Sequence, residues 1–557
     1  MPHFDTFPTL YWLPVYALCW GLLWVSVKSV VGSRTYVLAA MLLLFLLRLP
    51  GIVFDNEINP DESQMITQAL TLHHDPVYFR SVDGTTGGPL DSYFLVIPGL
   101  LGLPFDYITA HLTACSLVAV CLMLLFQTAR LWFGDPAARV ALLPLVFTLG
   151  LTRNGDFLHY NSELIALVLL SAGYLLYARL LNQRRPSVAM LAAVGLMLGM
   201  VPFGKLQAVP LAAVVGLFVG VDVLLRPALT LGEKGIRLAV LAVSATLFPV
   251  LVIVLTKANG VYDDFITFYI EGNFRYASNT SQVDSLLSLP RFLHRGTEFE
   301  WLVYFAGIVW IAGLFVGGRR ERLPWQISGF IGVLLIATLF AITRTGSEYV
   351  HYLYFLTGPV LFGFAYGWQR LNVDGTSGRW IALGTTAFFL LIFGATTLQR
   401  YRIGEPINPY PSDGQGGWKV QPSAVSKVVQ RYAKPGEPLV VWGWRCDYYV
   451  QTQMPQGVAE NHSIRSAFAH PMLAEYQQRY VRDFRRSVPP VFVDAVGSQN
   501  LWMTDRRTQG HELIKPLGQF VAAHYSLVGL ANDARIYVRN DRLRAVDGPT
   551  TGTKTAN

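Results

Sequence analysis

Charge is what this 557-residue chain has least of. Asp, Glu, Lys and Arg make up only 14% of it, where soluble domains carry about 25%. Cysteine is also scarce: four residues, Cys19, Cys115, Cys121 and Cys446, without a CxxC pair. That excludes a disulfide framework and a cysteine-ligated metal site. No Walker-type glycine loop, no internal repeat and no compact basic motif is present, so neither a phosphate-loop nucleotidase nor a nucleic-acid partner is expected. The net charge of +8 is spread over many short connections, as in chains whose basic residues set membrane topology.

What fills the sequence is apolar: 52% of residues are hydrophobic. Charge is also uneven. Residues 400–557 hold 33 of the 80 charged residues, and residues 1–399 hold 47. The chain therefore divides into a membrane part, 1–399, and a water-soluble tail, 400–557. A spanning helix needs about 20 apolar residues, and twelve runs qualify as candidates: 9–31, 34–53, 107–131, 137–152, 161–182, 188–203, 206–225, 237–256, 301–317, 325–343, 352–370 and 380–397. One set of connections is short and basic, with Arg34, Arg139, Arg184, Arg185, Arg226, Lys234, Arg237, Arg319, Arg320, Arg322, Arg370 and Arg379. The positive-inside rule puts that set in the cytoplasm. Both termini and the tail then lie outside.

The outer side receives the long connections, 54–106 and 257–300. Helical periodicity at Glu62–Leu72 and Leu90–Leu101 predicts juxtamembrane helices on the membrane surface. In the tail, Pro438–Trp444 and Val491–Val496 read as strands, His524–Val528 and Ala534–Arg539 as a closing pair, and Pro471–Ser487 as a helix. The tail is thus a small α/β unit behind a Pro- and Gly-rich linker, 400–422, and the last dozen residues read as disordered. The fold class expected is a polytopic α-helical membrane protein of about twelve spans with a C-terminal soluble α/β domain.

Carboxylates concentrate just beyond the second run: Asp55, Glu57, Asp61 and Glu62 lie within eight residues. Pro60-Asp61-Glu62 before a helical pattern reads as a helix start with Asp61 as N-cap, and an anchored carboxylate there suits general-base work. Downstream, Asp83-Gly84-Thr85-Thr86-Gly87-Gly88-Pro89 forms a turn whose glycines admit a ligand. The next outer connection carries Asp156 and Glu163, and a carboxylate entering a bilayer needs a partner or a wet site. Lys205 lies between two apolar runs, free to snorkel to the interface or to hold a phosphate. His351-Tyr352, with Arg80 and Arg275, adds to that face. Cations for a phosphate, carboxylates for a proton and apolar walls for a tail suit group transfer from a lipid phosphate. His73 and His74 are adjacent, so they point to different sides of a helix and do not share a metal.

Asn59-Pro60-Asp61-Glu62, Gly88-Pro89-Leu90, Gly204-Lys205 and His351-Tyr352 occur in that order over residues 34–397. In this the chain resembles the GT-C fold glycosyltransferases that use polyprenyl-phosphate sugars, in the branch holding protein O-mannosyltransferases and lipid A aminoarabinose and galacturonosyl transferases. The resemblance implies an inverting displacement with Asp61 as base and Glu62 beside it. Asp156 or Glu163 stands near the family's second acidic position. Lys205, Arg80, Arg275 and His351 would hold the leaving phosphate, and Asp83 and Tyr352 would belong to the substrate loops. It further implies a bacterial cytoplasmic-membrane enzyme with its site and tail facing the periplasm. Its partners would be a polyprenyl-phosphate-linked sugar, membrane lipid, and a lipid, glycan or protein acceptor. No cofactor is required, although the clustered acids leave a divalent metal open. Gly87-Gly88-Pro89 replaces the family's commoner Lys-Pro-Pro, which shifts phosphate binding toward Lys205 or Arg80. The rival expectations are a lipid-linked glycan ligase or polymerase, and a transporter or flippase. The latter would carry charges near mid-span on broken helices.

Overall fold

The computed structural model describes residues 8–277, 281–315, 324–372, 377–405 and 420–546, together with Phe4 and Ile407. All twelve apolar runs are helical: Pro8–Lys28, Ser33–Ile52, Tyr107–Phe133, Asp135–Leu151, Leu164–Leu181, Val188–Gly204, Val209–Leu225, Leu231–Ala258, Glu298–Phe315, Trp325–Thr343, Thr357–Leu371 and Ser377–Ile403. Among the described residues, nine helices are long and apolar enough to cross a membrane. The run at 352–370 starts as a 3-10 turn, Val350–Leu356, before the α-helix begins at Thr357. Arg319, Arg320 and Arg322, most of the linker and residues 547–557 lie outside the described residues.

Helix packing depends on small residues, as expected where lipid offers no hydrophobic drive between helices. Val188–Gly204 lies so close to Leu231–Ala258 that a Cβ on Gly199 would come within 2.2 Å of the Ala245 carbonyl oxygen. Two of the basic residues of the short connections are held at helix ends. Arg139 is buried and pairs with Asp135 at 2.6 Å, and Arg226 pairs with Asp222 at 2.8 Å.

The tail is a three-layer α/β unit. Its strands are β1 (Leu439–Trp442), β2 (Val491–Asp494), β3 (Tyr525–Ala531) and β4 (Ala534–Arg539), in the order β1-β2-β4-β3. β1 and β2 run parallel with Leu439 opposite Val491; β4 is antiparallel to β2 and β3. Every residue of β1 and β2 is buried, as a sheet covered on both faces requires. Val425, Val429 and Tyr449 cover one face; Tyr480, Phe484, Leu517 and Val521 cover the other.

The first outer helix departs from expectation. Pro60–His74 is not an exposed helix: it is buried from Glu62 to Leu72 between Pro89–Leu100, Tyr107–Phe133 and the tail. Part of this helix, which looks solvent-facing in the sequence, is used for docking the tail. Thr71 Oγ1 accepts the Gln456 N–H at 3.0 Å, and the Gln64 carbonyl accepts from Asn461 Nδ2 at 2.9 Å. Pro89–Leu100 leaves an apolar face open, with Tyr93, Phe94, Ile97 and Leu100 exposed.

A buried charge cluster completes the joint. Arg479 pairs with Asp83 and lies 3.6 Å over the Phe268 ring. Burial pushes the neighbouring Glu460 carboxyl from 4.5 up to about 8, against the opposing pull of Arg479 and of the Ser466 hydroxyl. Folded Glu460 therefore keeps a proton that the unfolded chain has lost, so its contribution to stability falls as pH rises from about 4.5 to about 8. Glu460→Gln removes that fall. In thermal unfolding, the advantage of the variant over wild type grows between pH 5 and pH 8, by on the order of 2 kcal/mol.

Candidate functional site

The N-terminus of Pro60–His74 is set by Asn59, not by Asp61. Asn59 is extended, its Oδ1 accepts the Asp61 N–H at 3.0 Å, and Pro60 follows at the first helical position, which suits a residue without an N–H. The Asn59 Nδ2 also donates to Asp156 Oδ1 at 2.9 Å. One side chain thus fixes both the helix that carries Asp61 and the loop that carries Asp156.

Glu62 goes elsewhere. Successive helix residues point about 100° apart. Glu62 is fully buried behind the helix, 2.7 Å from His111 Nε2, and accepts the Ile58 N–H at 3.2 Å. The expected Asp61–Glu62 pair is therefore split, and only Asp61 faces the cavity described below.

Opposite Asp61 stands a group assembled from helix ends. Glu163 caps Leu164–Leu181 and Lys205 ends Val188–Gly204. A carboxylate at an N-terminus and an ammonium at a C-terminus each complement the local helix dipole. They meet at 2.8 Å, both buried, and Lys205 also donates to Ser162 Oγ at 2.5 Å and lies 5.5 Å over the Tyr352 ring. His351 lies between Asp156 at 3.4 Å and Glu163 at 4.0 Å, stacked on Tyr349 with an interplanar angle of 6°. Burial alone would raise the Glu163 carboxyl, but Lys205 and His351 outweigh it and hold it below its ordinary value. Burial likewise works against Asp156, which His351 and His159 bring well below the usual range. His351 moves the other way: burial is overcome by Glu163, Asp156 and Asp61, so its proton is held more tightly.

These groups line a cavity of about 490 Å3, within the range of small-molecule sites. Asp61, Asp156, Glu163, Lys205, Arg275, His351 and Tyr352 all reach it, and Trp444, His462 and Trp502 of the tail form its far wall. A second, mainly apolar cavity of about 350 Å3 adjoins it, with Thr86, Lys205, Tyr276 and Tyr352 as common walls. It continues past Leu206, Val209, Pro210 and Phe340 between two apolar helices.

Two other expected residues fall outside these cavities. Arg80 is turned to Asp75, and Asp83 serves the Arg479 joint. Gly84 and Gly87 line the polar cavity, but Gly88 serves packing: its N–H donates to the Gly204 carbonyl at 2.9 Å, and a Cβ there would meet the Phe203 carbonyl oxygen at 2.0 Å.

Sequence reasoning gave no role to Asn59, Ser162 or His159. His159 was visible as a histidine just before an apolar run. Its Nδ1 is 2.9 Å from the Gly155 carbonyl, and its buried Nε2 makes no hydrogen bond. Asp61, His159 and His351 bring ligand atoms within 4.8 Å of one another. With Nδ1–H held by the carbonyl, Nε2 is left as a free lone pair, and this donor set fits a divalent cation once His351 gives up the proton that its carboxylate neighbours hold.

No family model and no curated protein matches the sequence. Solved structures do. ArnT from Cupriavidus metallidurans, determined bound to undecaprenyl phosphate, is 15% identical, covers 93% of this chain and 100% of its own, and superposes with a TM-score of 0.52. The Archaeoglobus fulgidus oligosaccharyltransferase, determined with Zn and sulfate, is 13% identical, covers 83% of this chain and 68% of its own, and has a TM-score of 0.41. The likeness to ArnT along nearly the whole of both chains, with twelve apolar helices among the described residues ahead of a small sheet unit, shows that this protein has the GT-C fold.

Proposed function

We propose that this protein is an inverting glycosyltransferase that moves a sugar from a polyprenyl-phosphate donor to an acceptor hydroxyl at the outer face of a bacterial cytoplasmic membrane. The observation that carries this reading is the shared wall of the two cavities. Lys205 and Tyr352 stand where a polar chamber holding Asp61 opens into an apolar groove. A ligand with an anionic head and a hydrocarbon tail is complementary to that pair of spaces. The ArnT structure holds such a ligand, undecaprenyl phosphate.

In this reading Asp61 accepts the proton of the acceptor hydroxyl as its oxygen attacks the anomeric carbon. The bond from that carbon to the phosphate oxygen breaks on the opposite side, and the polyprenyl phosphate leaves. Lys205, kept in place by Glu163 and Ser162, meets the charge that develops on the leaving oxygen, with Arg275 and His351 on the same cavity wall. Glu163 and Asp156 make His351 hold its proton more tightly, which favours the charged form for that purpose. Arg80 and Glu62 take no part. Binding both substrates in one chamber lowers the entropic barrier.

Purified protein in nanodiscs, offered a panel of radiolabelled polyprenyl-phosphate sugars, transfers label from one of them. Asp61→Asn, which keeps the hydrogen bonding of the side chain but cannot take a proton, lowers the rate by at least about a hundredfold. Unchanged transfer in a folded variant removes Asp61 as base and leaves Asp156 and Glu163 as the carboxylates of the chamber.

The same assay settles the metal question. Lys205, Arg275 and His351 supply the positive charge the leaving group needs, so transfer is unchanged by EDTA. Loss on chelation with recovery on adding Zn or Mn would instead assign the Asp61–His159–His351 group to a cation.

A further inference from the structure

The far wall of the polar cavity is built by the tail and takes no part in the transfer chemistry derived above. Trp444 follows β1 and stacks on His462, with ring centroids 4.6 Å apart and an interplanar angle of 17°. Trp502 meets Trp444 edge-on at 5.2 Å. All three line the chamber that holds Asp61.

Their surroundings hold them in place. The Gly443 N–H donates to Ser463 Oγ at 2.7 Å, and the Trp502 N–H to Asn500 Oδ1 at 3.2 Å. The Asn461 side chain ties the segment to the helix carrying Asp61. Yet their own polar atoms are unused. His462 is only 5% exposed and its Nδ1 has no hydrogen-bond partner; the half-buried Trp444 Nε1 has none either. Trp502 is 47% exposed and Leu501 48%, large apolar surfaces left open beside a polar chamber.

We propose that Trp444, His462 and Trp502 form a subsite for a sugar ring of the acceptor, so that the hydroxyl presented to Asp61 belongs to a saccharide. This rests on the transferase reading above. A pyranose has apolar C–H faces and a rim of hydroxyls. Aromatic faces take the first, and the idle Nδ1 and Nε1 take the second, relieving buried polar atoms that otherwise go unsatisfied. Burial and the nearby Arg465 lower His462 to about 4, so at neutral pH the ring is uncharged and suits a hydroxyl.

Two other occupants fit less well. A hydrocarbon chain would leave both nitrogens unsatisfied. An extended peptide bound by strand addition needs a sheet edge, and no residue of β1–β4 lines the chamber.

The test uses the full chain in nanodiscs and saturation-transfer NMR. Its probes are methyl glycosides of glucose, galactose, mannose, rhamnose, arabinose and N-acetylglucosamine, with a capped Gly-Ser-Thr-Gly peptide as comparison. At least one glycoside receives saturation from wild type and from Asp61→Asn. The signal drops at least fivefold in Trp502→Ala, whose half-exposed side chain can be removed without unfolding, and in His462→Phe, which keeps the stacking but not the nitrogens. Absence of glycoside signal, equal signal in both tail variants, or signal from the peptide alone overturns the subsite. Donor turnover by Asp61→Asn is scored separately in the same preparations. A failed base assignment with intact glycoside binding, and a failed subsite with intact turnover, are thereby told apart.

Discussion

The site depends on one buried ion pair. Lys205 and Glu163 are 3% and 0% exposed and 2.8 Å apart. Removing either ion from water costs several kcal/mol, and the pair repays it only with good geometry and further hydrogen bonds. Ser162 supplies one such bond, and His351 lies 4.0 Å from the other Glu163 oxygen, where its proton is held more tightly. The helix ends that carry these residues cannot drift without leaving an unpaired charge inside the protein. Gly88 lets the segment before Pro89–Leu100 press its backbone onto this junction, donating its N–H to the Gly204 carbonyl. The turn that lines the cavity is thereby fixed to the same corner.

That constraint explains which parts of the molecule are legible in the sequence. A bilayer demands long uncharged runs, so the twelve helices stand out by composition. The same demand makes Asp61, Asp156, Glu163, Lys205 and His351 conspicuous, as polar residues at the ends of apolar stretches. Partnerships across long chain distances leave no such trace. Nothing near Asp83 announces Arg479, 396 positions away, so a residue of the joint looks like one of the substrate loop. Glu62 looks like a second catalytic carboxylate until His111 is seen behind it. The burial of Pro60–His74 is hidden for a related reason. Its Thr67 and Thr71 hydroxyls meet the tail rather than water, and periodicity cannot distinguish those two partners. His462 and the tryptophans were missed because a stack of rings drawn from separate loops has no spacing rule.

The joint also gives the tail a positional role. Docking on Pro60–His74 through Thr71, Gln64 and the Arg479 cluster places Trp444 and His462 across the chamber from Asp61. Without the tail, the helix that bears Asp61 would expose the polar positions that the tail now pairs. The polar cavity would also lose a wall.

On the proposed reading, Asn59 makes this arrangement a single unit. It caps the helix that carries Asp61 and at the same time holds the Asp156 carboxylate that faces His351. A base and the charge that meets the leaving group must keep a fixed separation through the reaction, because a misplacement of about 1 Å costs on the order of a hundredfold in rate. Two separate outer loops would not hold that separation by themselves. A short amide with one bond to each loop does, and Pro60 removes the N–H that would otherwise compete for it. The base side and the leaving-group side of the chamber are thus spaced by the geometry of one asparagine.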